Sequence, residues 1–271
     1  MCVSASDRLW RRYDPTVYAT IWGFDKQPNK IWELIRDFLA ETRPEPNAGH
    51  RAIAALEEDQ LVTCVVTQNV DNLHQKSGSS KVVEYHGSLL QSACRKCRRP
   101  GGAVEDLIAR TPSLPPRCST CGGPLKPSAV LFGENIPPIA AREASAAVAA
   151  CDVLLVVGTS ATVRPASELP RAAAKRGAKV IEINMEPTQL TDAVSDMVLL
   201  GPAGDTLPLV VDAVRRKRRA SAGGALAAQR PARDGRAALS SHGSRKSSAM
   251  LARRGGGLGM RSTLVDAVPW I

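Results

Sequence analysis

The chain has 271 residues, 44% of them hydrophobic and 23% charged, which excludes a wholly disordered polymer. Its formal charge of +10 is unevenly placed: residues 215–271 hold 13 Lys and Arg against only Asp234 and Asp266, whereas residues 1–214 are close to neutral. The basic balance therefore belongs to the carboxyl-terminal part and carries no message about what residues 1–214 bind.

In chain order, the opening MCVSASDRLWRRYDP lacks the apolar stretch of a secretory signal. No run elsewhere approaches the roughly 18–20 apolar residues that span a bilayer. The expectation is an intracellular protein, nuclear or cytoplasmic, with no membrane partner. Ile31, Leu34, Ile35, Phe38 and Leu39 fall on one helical face and predict an amphipathic helix turned to the core. Leu61–Thr67 (LVTCVVT) is a short β-branched run of the kind buried on both faces of a parallel sheet. It leads into Thr67-Gln68-Asn69-Val70-Asp71-Asn72-Leu73-His74, whose amide and carboxylate groups suit ribose hydroxyls or a carboxamide.

Tyr85-His86-Gly87 follows a short apolar run and precedes a patterned set of cysteines. Cys94-x-x-Cys97 and Cys118-x-x-Cys121 are separated by 20 residues. Each pair can offer two thiolates from one turn, and two such turns complete a tetrahedron around one Zn²⁺, the alternatives being disulfides or chance pairs. The polar, Pro- and Gly-rich sequence between them is too poor to make a core, so the metal would supply that module's folding energy. Four cysteine ligands leave no position for water, which makes the zinc structural. Cys2, Cys64 and Cys151 read as ordinary thiols, and the whole pattern suits a reducing compartment.

Val153–Val157 (VLLVV) and Lys179–Ile183 (KVIEI) predict two further parallel strands, joined by an Ala-rich helix over 166–176 that ends at Gly177. Gly158-Thr159-Ser160 follows the first of them and Asn184 the second. Open parallel sheets bind ligands beyond the carboxyl ends of their strands, so three polar strand ends predict a nucleotide site. Beyond Val214, Arg215-Arg216-Lys217-Arg218-Arg219 opens a stretch of Ala, Gly, Ser and Arg with no sustained apolar period. It is predicted to be disordered. It reads either as a solvated spacer or as an arm for nucleic acid or a nuclear-import receptor.

TQNVDNLH (67–74), YHG (85–87), the two CxxC pairs, LFGE (131–134), GTS (158–160) and IEIN (181–184) together resemble the sirtuins. These are NAD-dependent protein-lysine deacylases, and the resemblance runs over about residues 9–214. It implies an α/β fold: a Rossmann-like parallel sheet in a catalytic domain of residues 1–214, a zinc module inserted at about 88–130, and a tail at 215–271. It implies that NAD⁺ is cleaved at the nicotinamide–ribose bond while the acetyl group of a protein acetyl-lysine passes to ADP-ribose. The catalytic residues by this resemblance are His86, the general base on a ribose hydroxyl, and Asn69. Gln68, Asn69 and Asp71 would line the ribose and the nicotinamide carboxamide. Gly158, Thr159 and Ser160 would approach the phosphates and adenosine ribose, Asn184 its hydroxyls, and Ala203 the adenine through its backbone. Val130, Phe132, Gly133 and Glu134 resemble the segment that pairs with the substrate main chain. His74, in the same polar loop as Gln68, has no matching catalytic role, and His50 and His242 read as structural.

Two departures from the family pattern shape these expectations. Sirtuins begin with a strand, a glycine-rich GAG-x-S turn that cradles the pyrophosphate, and an FR pair. Residues 1–60 contain only Gly23 and Gly49, so the first βα unit is predicted to be missing: either a truncated start, or a variant that holds NAD⁺ weakly. Sirtuins that prefer succinyl or malonyl groups carry Tyr-x-x-Arg on an early helix. The matching places look like Ile35 and Phe38, which predicts acetyl or another uncharged acyl group. Two readings from other classes stay open: a zinc-stabilised binding protein without catalysis, and an NAD-dependent protein ADP-ribosyltransferase.

Overall fold

The computed structural model describes residues 13–41, 44–228 and 262–266. Three helices come first: α1 (Pro15–Tyr18), α2 (Ile21–Lys26) and α3 (Pro28–Glu41). Helix α3 is the predicted amphipathic one, with Ile31, Trp32, Leu34, Ile35 and Phe38 buried. Next come α4 (Ala48–Glu58), β1 (Val62–Thr67), the short α5 (Leu73–Lys76) and β2 (Val82–Glu84). A separate antiparallel sheet follows, built from β3 (Gln91–Cys94), β4 (Pro100–Ala103) and β5 (Leu125–Pro127), with α6 (Val104–Arg110) leaving β4. The chain then alternates through α7 (Pro138–Ala150), β6 (Val153–Val157), α8 (Glu168–Lys175), β7 (Lys179–Asn184), β8 (Met197–Leu200) and α9 (Ala203–Ala228). Strand β9 (Ser262–Asp266) ends the described chain.

The main sheet has six strands in the order β2-β1-β9-β6-β7-β8, and every pairing is parallel. A parallel sheet must be covered on both sides. Cys64, Val66, Leu154, Val156, Val180 and Val265 pack on one side with Ala144 and Val148 of α7 and Leu169 and Ala173 of α8. Val65, Leu155, Val157, Ile183 and Leu264 pack on the other with Ile53 and Leu56 of α4 and Leu207 and Val211 of α9. The β-branched runs of β1, β6 and β7 thus form strands because both faces of each meet a helix layer.

Because residues 1–60 carry no GAG-x-S or FR motif, a gap is expected in this sheet. Strand β9, from the far end of the chain, fills it. Leu264 is in register with Val65 of β1 and Leu155 of β6, and Asp266 with Thr67 and Val157. Thr263, Leu264, Val265 and Asp266 are all buried. An empty central slot would leave two rows of backbone groups unpaired. The short run Ser-Thr-Leu-Val-Asp satisfies both rows and sends Leu264 and Val265 into opposite cores.

The expectation of a disordered segment over 215–271 is therefore corrected in two places, and with it the domain boundary at 214. Helix α9 runs through the basic stretch to Ala228, and 262–266 is a strand of the sheet. The rest of that prediction, 229–261 and 267–271, lies outside the described residues. The helix persists because Ala, Arg and Lys are good helix formers and because the run is anchored. Arg215 Nε lies 2.6 Å from the Asp59 carboxylate, and Arg218 Nη1 donates to the Asp59 carbonyl at 3.0 Å. Asp59 caps the carboxyl end of α4, where cations are favoured by the helix dipole. Among the described residues no helix is long and apolar enough to cross a membrane.

The small β3–β5 module shares a core with the first helices rather than with the main sheet. Ile21, Phe24, Ile31, Trp32 and Ile35 pack with Cys94, Val104, Cys118 and Leu125. Trp32 Nε1 donates to the Leu125 carbonyl at 2.8 Å, and the Arg95 guanidinium makes two 2.9 Å bonds to Asp25.

Candidate active site and metal centre

The Sγ atoms of Cys94, Cys97, Cys118 and Cys121 all lie within 4.8 Å of one another. Cys94 and Cys121 are 3.5 Å apart, and Cys97 and Cys118 are 3.7 Å apart. Four thiolates at about 2.3 Å from Zn²⁺ in a tetrahedron sit about 3.8 Å from each other, so the cluster has the size of a zinc site. The Cys97 amide points at Cys94 Sγ (3.4 Å), as expected of a turn that stabilises a thiolate. Bound there, the ion would hold the two turns together and take no part in the chemistry.

The strand ends converge as the sheet register dictates: Thr67, Asp266, Val157 and Ile183 are partners across four neighbouring strands. Past β1, the Gln68 amide donates to the Asp266 carbonyl at 3.0 Å. Asn69 is buried with its amide on Thr67 Oγ1 (3.1 Å), and Asp71 Oδ1 accepts from the Leu73 amide (3.0 Å). Past β6, Gly158 adopts φ +61° and its amide donates to the Ile183 carbonyl at 2.9 Å. The Thr159 hydroxyl accepts from the Ala161 amide (3.1 Å) and faces inward, whereas Ser160 is exposed. Asn184 Nδ2 donates to the Thr159 carbonyl at 3.0 Å. Of these residues, Thr159 and Asn184 use their side chains to shape the turn after β6, a role distinct from the direct ligand contacts the resemblance implies. Ala203, at the start of α9, lies against Gly49, where an added Cβ would come within 3.1 Å of the Ala203 carbonyl oxygen.

His86 borders an apolar cavity of about 130 Å³. One wall is Ile31, Leu34, Ile35 and Phe38 of α3; Val130 and Leu131 face it. His86 Nδ1 lies 3.3 Å from the Gln68 carbonyl oxygen. A carbonyl only accepts, so the assigned tautomer carries its proton on Nδ1 and leaves the Nε2 lone pair available. Burial pushes the imidazole below its ordinary value, partly opposed by the bond to Gln68. Gly87 is required beside it: at φ +71°, an added Cβ would lie 2.2 Å from the Ser128 carbonyl oxygen. Ile35 and Phe38 both line the cavity, no Lys or Arg does so among the described residues, and Arg36 is spent on Asp37 at 2.9 Å.

Several main-chain groups of residues 130–134 are already engaged with other parts of the chain. The Val130 amide bonds the His86 carbonyl (2.8 Å), the Phe132 amide the Ala19 carbonyl (2.9 Å), and the Glu134 amide the Leu131 carbonyl (2.9 Å). The Phe132 carbonyl accepts from Ile21 (3.0 Å), and the Glu134 carboxylate takes the Leu131 amide (3.0 Å) and Lys126 Nζ (2.9 Å). Phe132 makes an isolated parallel bridge to Thr20, so the segment is tied to the first helices. Gly133, at φ +87°, lies under the exposed Trp22 ring, so a side chain there would be strained and would have to displace that ring.

Sequence reasoning missed two residues here. His74 and Asp266 form a buried pair, with Nε2 to Oδ2 at 2.5 Å. The β-branched core of Ser-Thr-Leu-Val-Asp was the available signal, masked by its Gly- and Arg-rich surroundings.

The Sir2 family model matches residues 4–165. A model of the thiamine pyrophosphate enzyme central domain also matches residues 123–210, a stretch dominated by the parallel β6–β8 half of the sheet. The NAD-dependent protein deacylase 2 of Pyrobaculum aerophilum is 44% identical over 214 residues, covering 78% of this chain and 83% of the relative. The NAD-dependent protein deacylase 2 of Archaeoglobus fulgidus is 42% identical over 213 residues, covering 78% and 84%. A Sir2 structure solved with a myristoylated histone peptide superposes with a TM-score of 0.68 at 40% identity, covering 76% and 87%. With this agreement of sequence, sheet and cysteine cluster, the chain belongs to the Sir2 family of NAD-dependent protein deacylases.

Proposed function

We propose that this chain removes uncharged acyl groups from protein lysine side chains, with His86 as the general base. One observation carries the reading: a neutral-favouring imidazole, fixed as the Nδ1–H tautomer by Gln68, borders a cavity whose other walls are mainly aliphatic and aromatic and, among the described residues, carry no Lys or Arg. Bound NAD⁺ would supply the ribose carbon that accepts the acyl oxygen, with nicotinamide as leaving group. His86 Nε2 would accept the proton of a ribose hydroxyl, which requires the neutral ring that burial favours. Gln68, Asn69 and Asp71 would hold the nicotinamide end, while Gly158 and Ser160 would hold the adenosine end, on a turn braced by Thr159 and Asn184. Val130 and Leu131 would guide the acyl-lysine by side-chain contact.

Apolar cavities of about 150 Å³ accept benzene-sized molecules, so a cavity near 130 Å³ suits an acetyl group or the first carbons of a longer chain. A dicarboxylic acyl group would bring an unpaired anion against apolar walls, at a cost of several kcal/mol. The test is nicotinamide release by the purified chain from NAD⁺ with acetyl-, octanoyl- and succinyl-lysine peptides. The neutral acyl peptides are expected to react and the succinyl peptide to lag at least tenfold. His86→Ala is expected to lower turnover by ~10²–10⁴ without loss of fold. Preference for the succinyl peptide, or a fully active His86→Ala, defeats the reading.

A further inference from the structure

Strand β9 does more than close the sheet, because its last residue grips both ends of the loop that follows β1. The Asp266 carbonyl accepts from the Gln68 amide (3.0 Å) and from Gln68 Nε2 (3.5 Å). The Gln68 carbonyl in turn receives His86 Nδ1 (3.3 Å). At the other end of the loop, the Asp266 carboxylate holds His74 Nε2 at 2.5 Å, with both side chains almost wholly buried. One residue from the far end of the chain is thus two hydrogen bonds from the His86 imidazole and one from His74.

We propose that Asp266 is a positioning residue for deacylation: by clamping Gln68 and His74 it fixes loop 68–74 and, through the Gln68 carbonyl, the ring of His86. The inference rests on the reading of His86 as the base. A seat in the sheet alone would not call for this side chain. Thr263, Leu264 and Val265 already supply the packing, and burying an ion pair is a weak way to stabilise a fold. Among the described residues, Asp266 Oδ1 and His74 Nδ1 have no hydrogen-bond partner, so the pair is not placed for full satisfaction. What the pair does provide is a fixed distance between the sheet and α5, and misplacing a catalytic group by about 1 Å can cost up to ~10²-fold in rate.

Asp266→Asn keeps the side-chain shape, the strand and the main-chain carbonyl, but removes the charge and exchanges one acceptor oxygen for an amide donor. His74→Gln removes the imidazole, and with it the rigid ring that seats Nε2 on the Asp266 carboxylate, and leaves β9 untouched. At saturating NAD⁺, each variant is expected to lower kcat roughly tenfold or more, with KM for the acetyl-lysine peptide within about twofold of the parent. The double variant is expected to be no slower than the slower single one, because both changes release the same clamp. If Asp266→Asn fails to fold by circular dichroism, His74→Gln alone decides: a tenfold fall in kcat supports the clamp, and parental kcat overturns it. A folded Asp266→Asn with parental kcat overturns it equally. His86→Ala run alongside separates the two ideas, since retained activity there removes the base reading, whereas its loss with a parental Asp266→Asn removes only the clamp.

Discussion

Leu264→Ala puts the position of β9 to a quantitative test. Leu264 has no exposed surface and sits between Val65 and Leu155, beneath the helices that cover that face of the sheet. Leu→Ala at such sites costs about 2–5 kcal/mol, and the cost rises where the surroundings cannot collapse. A central strand held on both edges has little freedom to move, so the upper half of that range, ~3–5 kcal/mol, is expected. For a domain of this size each kcal/mol lowers Tm by about 2–4 °C, giving a fall of ~6–20 °C. Leu209→Ala on α9 is the matched control, since that side chain is 67% exposed and should change stability by no more than ~0.5 kcal/mol. Urea unfolding followed by circular dichroism, with a thermal melt beside it, reads both. Equal, negligible losses in the two variants would refute a central β9.

The chain should bind about one zinc ion, and Cys118→Ser should release it and loosen the β3–β5 module; metal analysis of carefully purified protein checks both. Because burial lowers the proton affinity of His86, the acid limb of kcat/KM should fall below the ordinary imidazole value of ~6.5. The sign follows from the required neutral form: activity is full at neutral pH and is lost only as pH drops through the lowered pKa. A limb above ~7 would assign the titration to another group.

What could be read in the sequence follows from where the physics is local. Strands β1, β6 and β7 were legible because burial on both faces demands continuous β-branched runs, and the zinc module because thiolate geometry fixes the CxxC spacing. Helix α3 showed itself by its period. Strand β9 did not, since five residues with glycine and arginine around them become a strand only when a slot of the right width already exists. The extension of α9 was hidden for a related reason: it has no apolar stripe, and its anchor, Asp59, lies 156 positions away from Arg215. At the site, the four cysteines could be placed by their spacing, whereas His86 and Gln68 were picked out by the resemblance. Spent amides at 130–134 and the inward hydroxyl of Thr159 could not, because hydrogen-bond partners are set by tertiary approach rather than by motif.

Helix α3 joins two events that a static description keeps apart. Ile31 and Ile35 form part of the cavity wall and also pack in one core with Cys94, Cys118 and Leu125, while Trp32 is bonded to Leu125. Zinc occupancy and acyl binding therefore act on one shared body, and linkage makes their coupling reciprocal. By whatever factor the metal tightens the grip on an apolar acyl chain, that chain must tighten the grip on the metal. A chelator should then strip zinc more slowly from protein saturated with acyl peptide. Under metal scarcity, discrimination among acyl groups should fade before the main sheet yields, because Ile31 and Ile35 of the wall share their core with the cysteine module and the main sheet has cores of its own.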